Sequence, residues 1–402
     1  MLLAGAHGAA VADSTRNASH SGCSSDAHCS YNGVCNTANG ACGCDAQWVG
    51  AHCETLAVVA AARALGYAGR NGSGSLTSWG GAPLRGDDGT YHLILSEMTD
   101  NAGLAPWGTN SHVIWATSDA PLTKGFTKQG VLWGVFAHEP RCTRAPGTGE
   151  FVCYFSYNPE MAGYSGPCRG INGTTSKPNA PPGCGNDGGN KPTFMSWTRD
   201  PATGPAGWST PVHVAGGPGL PDLNFAPVIF NNGSLFALFR TNMGNNIHVA
   251  TAADWKDPST YVLQAPASTG INLMLPEDPF VWLDPRTNVF HSLHHAYPWP
   301  AGPHAWSRDG WTWHVAPGVN PNGPDPGAYN RTVHFTDAPT VQAGCRERPS
   351  LLFAADGVTP LALLNGMAPN PGKVGAVPSG SCRYAGIDYC RTLLQPLNQE
   401  GG

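Results

Sequence analysis

Four acidic residues sit beside prolines in short apolar phrases of this chain. Glu139 stands directly before Pro140 in FAHEPRC. Glu277 and Asp278 precede Pro279 in PEDPFVWL, and Glu347 lies two residues before Pro349 in RERPSLLF. Carboxyl groups that face one another can do general acid–base work. One, protonated, donates to a leaving oxygen; the other, ionised, acts as base or nucleophile, as cleavage of a glycosidic bond requires. Crowding several acids into one funnel raises the pKa of at least one, which a general acid needs. Their charged neighbours suit the same work. His138, Arg141, Arg240 and Arg348 are partners for carboxylates or clamps for an anionic sugar. Trp79, Trp107, Trp282 and Trp299 offer ring faces either to a sugar or to inter-sheet packing. Glu97 and Asn110 are weaker candidates at the same rim. His291, His294, His295 and His304 are close in sequence, but no three have metal-ligand spacing. They read as strand histidines or, for His294 above all, as hydrogen-bonding partners of a sugar. No metal and no cofactor is assigned, including a structural calcium in a channel.

These acids matter only if distant parts of the chain bring them together, and a repeat supplies the means. Period-2 alternation recurs from about residue 76 onward, which reads as strands. A phrase then recurs five times, an apolar segment with a proline, a turn and a second strand: SWGGAPL–YHLILSE, FAHEPRC–EFVCYFSY, LNFAPVIF–SLFALFRT, PEDPFVWL–VFHSLHHA and RERPSLLF–TPLALLNG. The turns between carry Gly or Asp, as hairpins prefer. Five copies of a three-to-four-strand unit predict an all-β fold, a five-bladed β-propeller. One blade cannot bury both faces alone, and closing the ring removes exposed sheet edges. A β-sandwich would explain the turns but not the repeated phrase. With the prolines as markers, the residues predicted to converge on the axis are Gly81-Ala82, His138-Glu139, Phe225-Ala226, Glu277-Asp278 and Glu347-Arg348. The long segment after the second copy reads as an inserted loop pinned by Cys168–Cys184, and Cys142–Cys153 as a strand cross-link.

Composition supports this reading and excludes others. The 402 residues include 52 glycines and 36 prolines, about twice the usual share, and only 12% charged residues. A coiled coil or helical bundle is excluded. Disorder is excluded by 13 Trp, 11 Tyr and 13 Phe. The net charge of −5, with no Lys/Arg cluster, argues against nucleic acid as a partner. No apolar run is long enough to span a membrane. Thirteen cysteines and Asn-x-Ser/Thr sites at Asn17, Asn71, Asn172, Asn232 and Asn330 point to an oxidising, secretory compartment.

Six cysteines, Cys23, Cys29, Cys35, Cys42, Cys44 and Cys53, leave no room for an apolar core, so disulfides must hold that segment. Spacing alone leaves fifteen pairings open. The C-x-C-x8-C ending, with Trp48 and Gly50 inside, resembles an EGF-like module. That resemblance implies Cys23–Cys35, Cys29–Cys42 and Cys44–Cys53, and a surface for a protein partner. The acidic stretch that calcium-binding modules of this kind carry is absent, so calcium is not expected here. Residues 1–20 read as a leader or disordered segment, 21–54 as the module, 55–75 as a linker or docking segment, and 76–402 as the propeller.

A five-bladed propeller with carboxylates before a strand proline resembles glycoside hydrolase family 43 and its relatives, including family 117. The resemblance rests on EDPFVW, RERPSLLF and the blade pattern from about residue 70 onward. It implies an Asp base before the proline of one blade, an Asp two blades later that tunes the acid, and a Glu acid in the next blade. The first blade departs from that plan, since Ala82 stands where the base belongs. Counted from the second blade, the steps match. Glu139 is then the base, Asp278 the modulator and Glu347 the acid, with a Glu in the base position in place of Asp. Family 117 allows His138 as an alternative acid. Substrate contacts are expected from His138, Glu277, Arg348, Arg240, Trp79 and His294. The plainer alternative makes Glu277 and Asp278 structural partners of Arg348 and Arg346. The reading is a secreted glycosidase acting on an oligo- or polysaccharide. The alternative is a non-catalytic carbohydrate-binding or adhesion protein that has lost its base. No three-arginine set marks a sialidase, although SRDGWTW (307–313) is one residue short of the Asp-box turn of sialidase-type propellers.

Overall fold

The structure is a computed structural model. It describes residues 22–67, 76–104, 106–161, 191–215, 224–241, 246–266, 276–296, 302–316, 327–368 and 390–400. Cys168–Cys184, Trp299, Asn17, Asn71 and Asn172 lie outside the described residues. Five four-stranded antiparallel sheets form the blades of a propeller. Blade 1 runs Ser78–Arg85, Tyr91–Met98, Ser111–Ser118 and Thr127–Trp133. Blade 2 runs Ala137–Arg144, Phe151–Tyr157, Thr193–Thr198 and Val212–Ala215. Blade 3 runs Ala226–Ile229, Leu235–Thr241, Asn246–Ala252 and Val262–Pro266. Blade 4 runs Pro276–Asp284, Val289–Ala296, His304–Ser307 and His314–Val315. Blade 5 joins Cys345–Phe353, Pro360–Ala368 and Arg391–Pro396 to Gly66–Tyr67, a strand from the start of the chain. The first strand of each blade touches the first strand of the next, and blade 5 returns to blade 1.

Apolar clusters fill the wedges between neighbouring blades. Tyr154 and Met195 of blade 2 pack with Phe239 and Trp255 on the blade 3 side. Phe236 and Leu238 of blade 3 meet Val281 and Ala305 of blade 4. The wedge between blades 4 and 5 also takes in Trp48, Cys29, Cys53 and Leu56 of the N-terminal module. That module is held by Cys23–Cys35, Cys29–Cys42 and Cys44–Cys53. It docks on blade 4 through several contacts. Trp48 lies 4.9 Å from the His304 ring and Tyr31 lies 4.8 Å from Trp306. Arg308 Nε donates to the Tyr31 hydroxyl at 2.7 Å, and Arg286 pairs with Asp45 at 3.1 Å. Cys142–Cys153 links the first two strands of blade 2. In the SRDGWTW segment, Asp309 accepts the backbone N–H groups of Trp311 and Thr312, so it serves as a turn.

The seam that closes the ring holds Glu97, which was expected at the rim. It is instead buried, 3% exposed. Its carboxylate accepts from Tyr67 Oη (2.6 Å) on the outermost strand of blade 5, and from His112 Nε2 (2.9 Å) and Lys128 Nζ of blade 1. Asn110 is likewise buried, its side chain accepting from Thr109. Burial alone would raise the Glu97 pKa; the bonds from His112, Lys128 and Tyr67 overcome it and hold the pKa down to about 2. A carboxylate depressed on folding contributes stability above its unfolded pKa and loses it as pH falls toward the folded value. Wild-type stability is therefore expected to fall between pH ~5 and ~2, by roughly 3 kcal/mol from this group. Urea unfolding across that range should show a flatter profile in Glu97→Gln, and an unchanged slope would exclude the closure role.

Candidate active site

The backbone turns to positive φ at the start of every first strand or just before it: at Gly80 (60°) and Gly81 (142°) in blade 1, Glu139 (56°) in blade 2, Asn224 (45°) two residues ahead of the blade 3 strand, Asp278 (55°) in blade 4 and Arg348 (50°) in blade 5. In blades 1, 2, 4 and 5 the positive-φ position sits within a break in strand register, between Trp79 and Ala82, His138 and Arg141, Glu277 and Phe280, and Glu347 and Ser350. Such bulges re-aim a side chain at the cost of a left-handed backbone, about 1–2 kcal/mol for a residue other than glycine. This alignment corrects the proline-based one. In blades 2, 4 and 5 the proline follows the left-handed residue directly. In blades 1 and 3 it comes three residues later, so Pro83 and Pro227 are not equivalent markers. The axial position of blade 1 belongs to Gly80 rather than Ala82, and that of blade 3 to Asn224 rather than Ala226.

These five positions meet. Arg348 Nη1 lies 2.7 Å from Glu139 Oε2 and 2.9 Å from Asp278 Oδ1, so one guanidinium joins blades 5, 2 and 4. Its Nη2 donates to the Glu139 carbonyl at 3.1 Å. Asn224 Nδ2 donates to Glu139 Oε2. Gly80 leaves the space that Arg348 occupies, since a Cβ there would lie 3.0 Å from Cβ, Cδ and Nε of the arginine. Beneath, Arg141 donates to the carbonyls of Pro349 (2.8 Å) and Asp278 (3.1 Å). Burial, then the charge of Arg348, lowers the Arg141 pKa to about 9. Two guanidinium groups thus cross the axis, and the positive charge between Glu139 and Asp278 comes from the protein itself.

In blades 2, 4 and 5 the residue before the left-handed position adds His138, Glu277 and Glu347 to the site. His138 has its Nδ1 2.6 Å from Ser111 Oγ and its Nε2 3.4 Å from Glu139 Oε1, and its ring stacks on Trp107 at 4.9 Å. Glu277 pairs with Arg240. Glu347 Oε1 is 3.5 Å from His295 Nε2, and one atom each of Asp278, His295 and Glu347 lies within 4.8 Å of the others. Burial pushes the Glu347 pKa well above the usual carboxylate range, helped by the charges of Glu277, Asp278 and Glu139 and opposed by Arg240. Burial also takes His295 down to about 4, against the pull of Asp278. Burial thus favours the protonated form of Glu347 and the neutral form of the His295 imidazole.

The structure thus brings Glu139, Asp278, Glu347, His138, Glu277, Arg348 and Arg240 to one place. Two expected contacts are corrected. Trp79 is 3% exposed with its ring against Gly366, so no face is open to a sugar. His294 is fully buried on the opposite side of its strand from His295. Burial takes its pKa to about 3. Arg346 bonds to Asn330 O and Asn365 Oδ1 rather than to Glu277 or Asp278. His291 and His304 bond to each other at 2.9 Å, and Asn32 of the N-terminal module reaches His304 at 3.4 Å. Trp282 stacks on His291. Proline-centred reading missed Asn224 and Ser111, and preferred His294 to His295 among the blade 4 histidines. For Asn224 a signal existed, because Gly, Asn and Asp are the residues that adopt positive φ most readily, and Gly80, Asn224 and Asp278 share that property.

No protein-family model and no curated protein matches the chain. Solved structures similar to it include a family 62 glycoside hydrolase in complex with xylotriose. It is 9% identical, covers 85% of this chain and 97% of its own, and has a TM-score of 0.51. A family 117 glycoside hydrolase from the marine bacterium Zobellia galactanivorans is 12% identical over 89% of this chain and 92% of its own, with a TM-score of 0.49. The catalytic domain of a family 62 α-L-arabinofuranosidase from Coprinopsis cinerea is 12% identical over 80% and 98%, with a TM-score of 0.47. At these identities the likeness is one of fold.

Removing the central cation should be costly, because it leaves two buried carboxylates facing each other. Arg348→Met is expected to lower stability by about 3–5 kcal/mol in denaturant unfolding at pH 7, and to recover part of that loss near pH 4. A variant as stable as wild type at both pH values would exclude the bridge.

Proposed function

We propose that the chain is a secreted glycoside hydrolase that cleaves an oligo- or polysaccharide with two carboxyl groups in different protonation states. The observation that carries this reading is the contrast between Glu347 and Glu139. Glu347 is largely enclosed, its pKa is pushed well above the carboxylate range, and it stands outside the arginine bridge. Glu139 lies against Arg348 and Asn224, which favour a carboxylate there. In this reading Glu347 gives its proton to the glycosidic oxygen. Glu139 takes a proton from the attacking water. Asp278, beside both, raises the affinity of Glu347 for its proton and fixes Arg348. Glu277 and Arg240, more exposed than the rest, meet the sugar.

The wider reading draws on the remaining features. The cysteine pairing of the N-terminal module is the one expected of an EGF-like fold, and its disulfides suit an extracellular setting. Asn232 and Asn330 are exposed, as glycan acceptors must be. No helix among the described residues is long and apolar enough to cross a membrane.

One observation favours a second reading. Arg348 already occupies an oxygen of both Glu139 and Asp278, which suits a protein that binds sugar without cutting it. Hydrolysis assays separate the two. Wild-type protein is expected to release product from members of a panel of aryl and alkyl glycosides and of plant and algal polysaccharides. Glu347→Gln should lose about 10²–10⁴-fold in kcat on alkyl glycosides, whose leaving groups need a proton. It should keep most of its activity on glycosyl fluorides, whose leaving group does not. Sugar binding by calorimetry without turnover would establish the binding reading, and equal losses on both substrate types would remove Glu347 as acid.

A further inference from the structure

The first strands of the blades carry the acids at their starts and enclose a cavity at their other end. The cavity has a volume of about 640 Å³, a usual size for a small-molecule site. It is bounded by the later residues of all five first strands and by hairpin turns that follow them. Its walls include Arg141 and Thr143 of blade 2, Val228 of blade 3, Phe280 and Trp282 of blade 4, and Phe353 of blade 5. None of Glu139, Glu277, Asp278, Glu347 and Arg348 borders it. It is therefore a second mouth of the ring, distinct from the candidate active site.

Two features of the lining point to one class of occupant. The first is a cation with incomplete partners. Arg141 is 2% exposed. Its Nη1 and Nη2 donate to the main-chain carbonyls of Pro349 and Asp278, and its Nε has no hydrogen-bond partner. The carboxylates of Asp278 and Glu139 act on it only at a distance, and the charge of Arg348, which both of them contact, opposes them. A buried guanidinium with only carbonyl acceptors is under-compensated. The second feature is aromatic. Phe280 lies 5.6 Å from Trp282 and 6.5 Å from Phe353, and Trp282 lies 6.3 Å from Phe353. All three rings are only partly buried, so ring surface remains for a further aromatic group. The guanidinium carbon of Arg141 stands 5.9 Å from the Phe280 ring, which puts the cation at the border of the aromatic wall.

We propose that this cavity binds a small aromatic carboxylate, with its ring among Phe280, Trp282 and Phe353 and its anionic end toward Arg141. A singly charged group suits one cation in an apolar setting. A phosphate dianion would bring a second charge with no partner, and a neutral sugar would turn its hydroxyls toward Val228, Phe280 and Phe353. Binding here needs none of the acids at the other end of the strands, so the proposal goes beyond the glycosidase reading and stands or falls without it.

Titration calorimetry with phenylacetate tests the site, with phenylacetamide and hexanoate as the uncharged and ring-free counterparts. Wild type should bind phenylacetate about 10-fold more tightly than phenylacetamide, as expected of a hydrogen bond to a charged group, and more tightly than hexanoate. Thr143 is two residues from Arg141 in a regular ladder and shares its face of the strand. Thr143→Trp therefore places an indole in the lumen, and should abolish binding in a protein that still unfolds cooperatively. Arg141→Met should erase the preference for phenylacetate over phenylacetamide. Because that arginine also holds two carbonyls, Thr143→Trp keeps the test decisive if Arg141→Met does not fold. No binding of phenylacetate to wild type would overturn the proposal, as would equal affinities for phenylacetate and phenylacetamide. Undiminished binding in Thr143→Trp would put the molecule elsewhere on the protein and overturn it too.

Discussion

One guanidinium organises the centre of this protein. Arg348 reaches across the axis from blade 5 to carboxylates on blades 2 and 4, and it lies against the bare backbone of Gly80 on blade 1. Four blades are thus tied to one side chain that is 1% exposed. Burying such a cation is unfavourable unless its charge is matched, and left-handed bulges supply the match by turning Glu139 and Asp278 inward. The cost of those backbone conformations is repaid in position. The bulges of blades 2, 4 and 5 bring Glu139, Asp278 and Arg348 into contact with one another.

The same matching explains why the acids differ. Glu139 and Asp278 share Arg348, whereas Glu347 stands outside that bridge. Glu347 faces His295 instead, in a setting from which other negative charges repel the loss of its proton. Acid and base character therefore follow from which carboxyl group the central cation reaches. Blade 3 contributes Asn224, a neutral donor to Glu139, so the axis gains a hydrogen bond there without a further charge.

Much of this was legible in the sequence. The fivefold phrase and its strand periodicity gave the propeller, and the acid-plus-proline phrases led to Glu139, Asp278 and Glu347. The limits have physical causes. Proline marks the bulge only where it follows the left-handed residue, so alignment by proline slipped in blades 1 and 3 and hid Gly80 and Asn224. A tryptophan in a strand has the same sequence signature whether it faces a ligand or a glycine of the neighbouring blade, and Trp79 does the latter. The four histidines near blade 4 looked like a cluster because they are close in sequence. Strand alternation sends His295 to the acids and His294 away from them, while His291 and His304 support the docked N-terminal module. Glu97 reads as a rim acid until Tyr67, from a strand that enters blade 5 out of order, is found beside it.

That out-of-order strand has a consequence for how the protein comes into being. Gly66–Tyr67 is made long before its partner, Arg391–Pro396. A growing chain can form its disulfide-bonded amino-terminal portion and stack several blades, but Gly66–Tyr67 stays unpaired until Arg391–Pro396 has been made. The long-range pairing that shuts the circle is slow by topology. Because Glu139, Asp278 and Arg348 come from either side of the gap, a ribosome-bound or prematurely ended product carries the acids without the arrangement that distinguishes them.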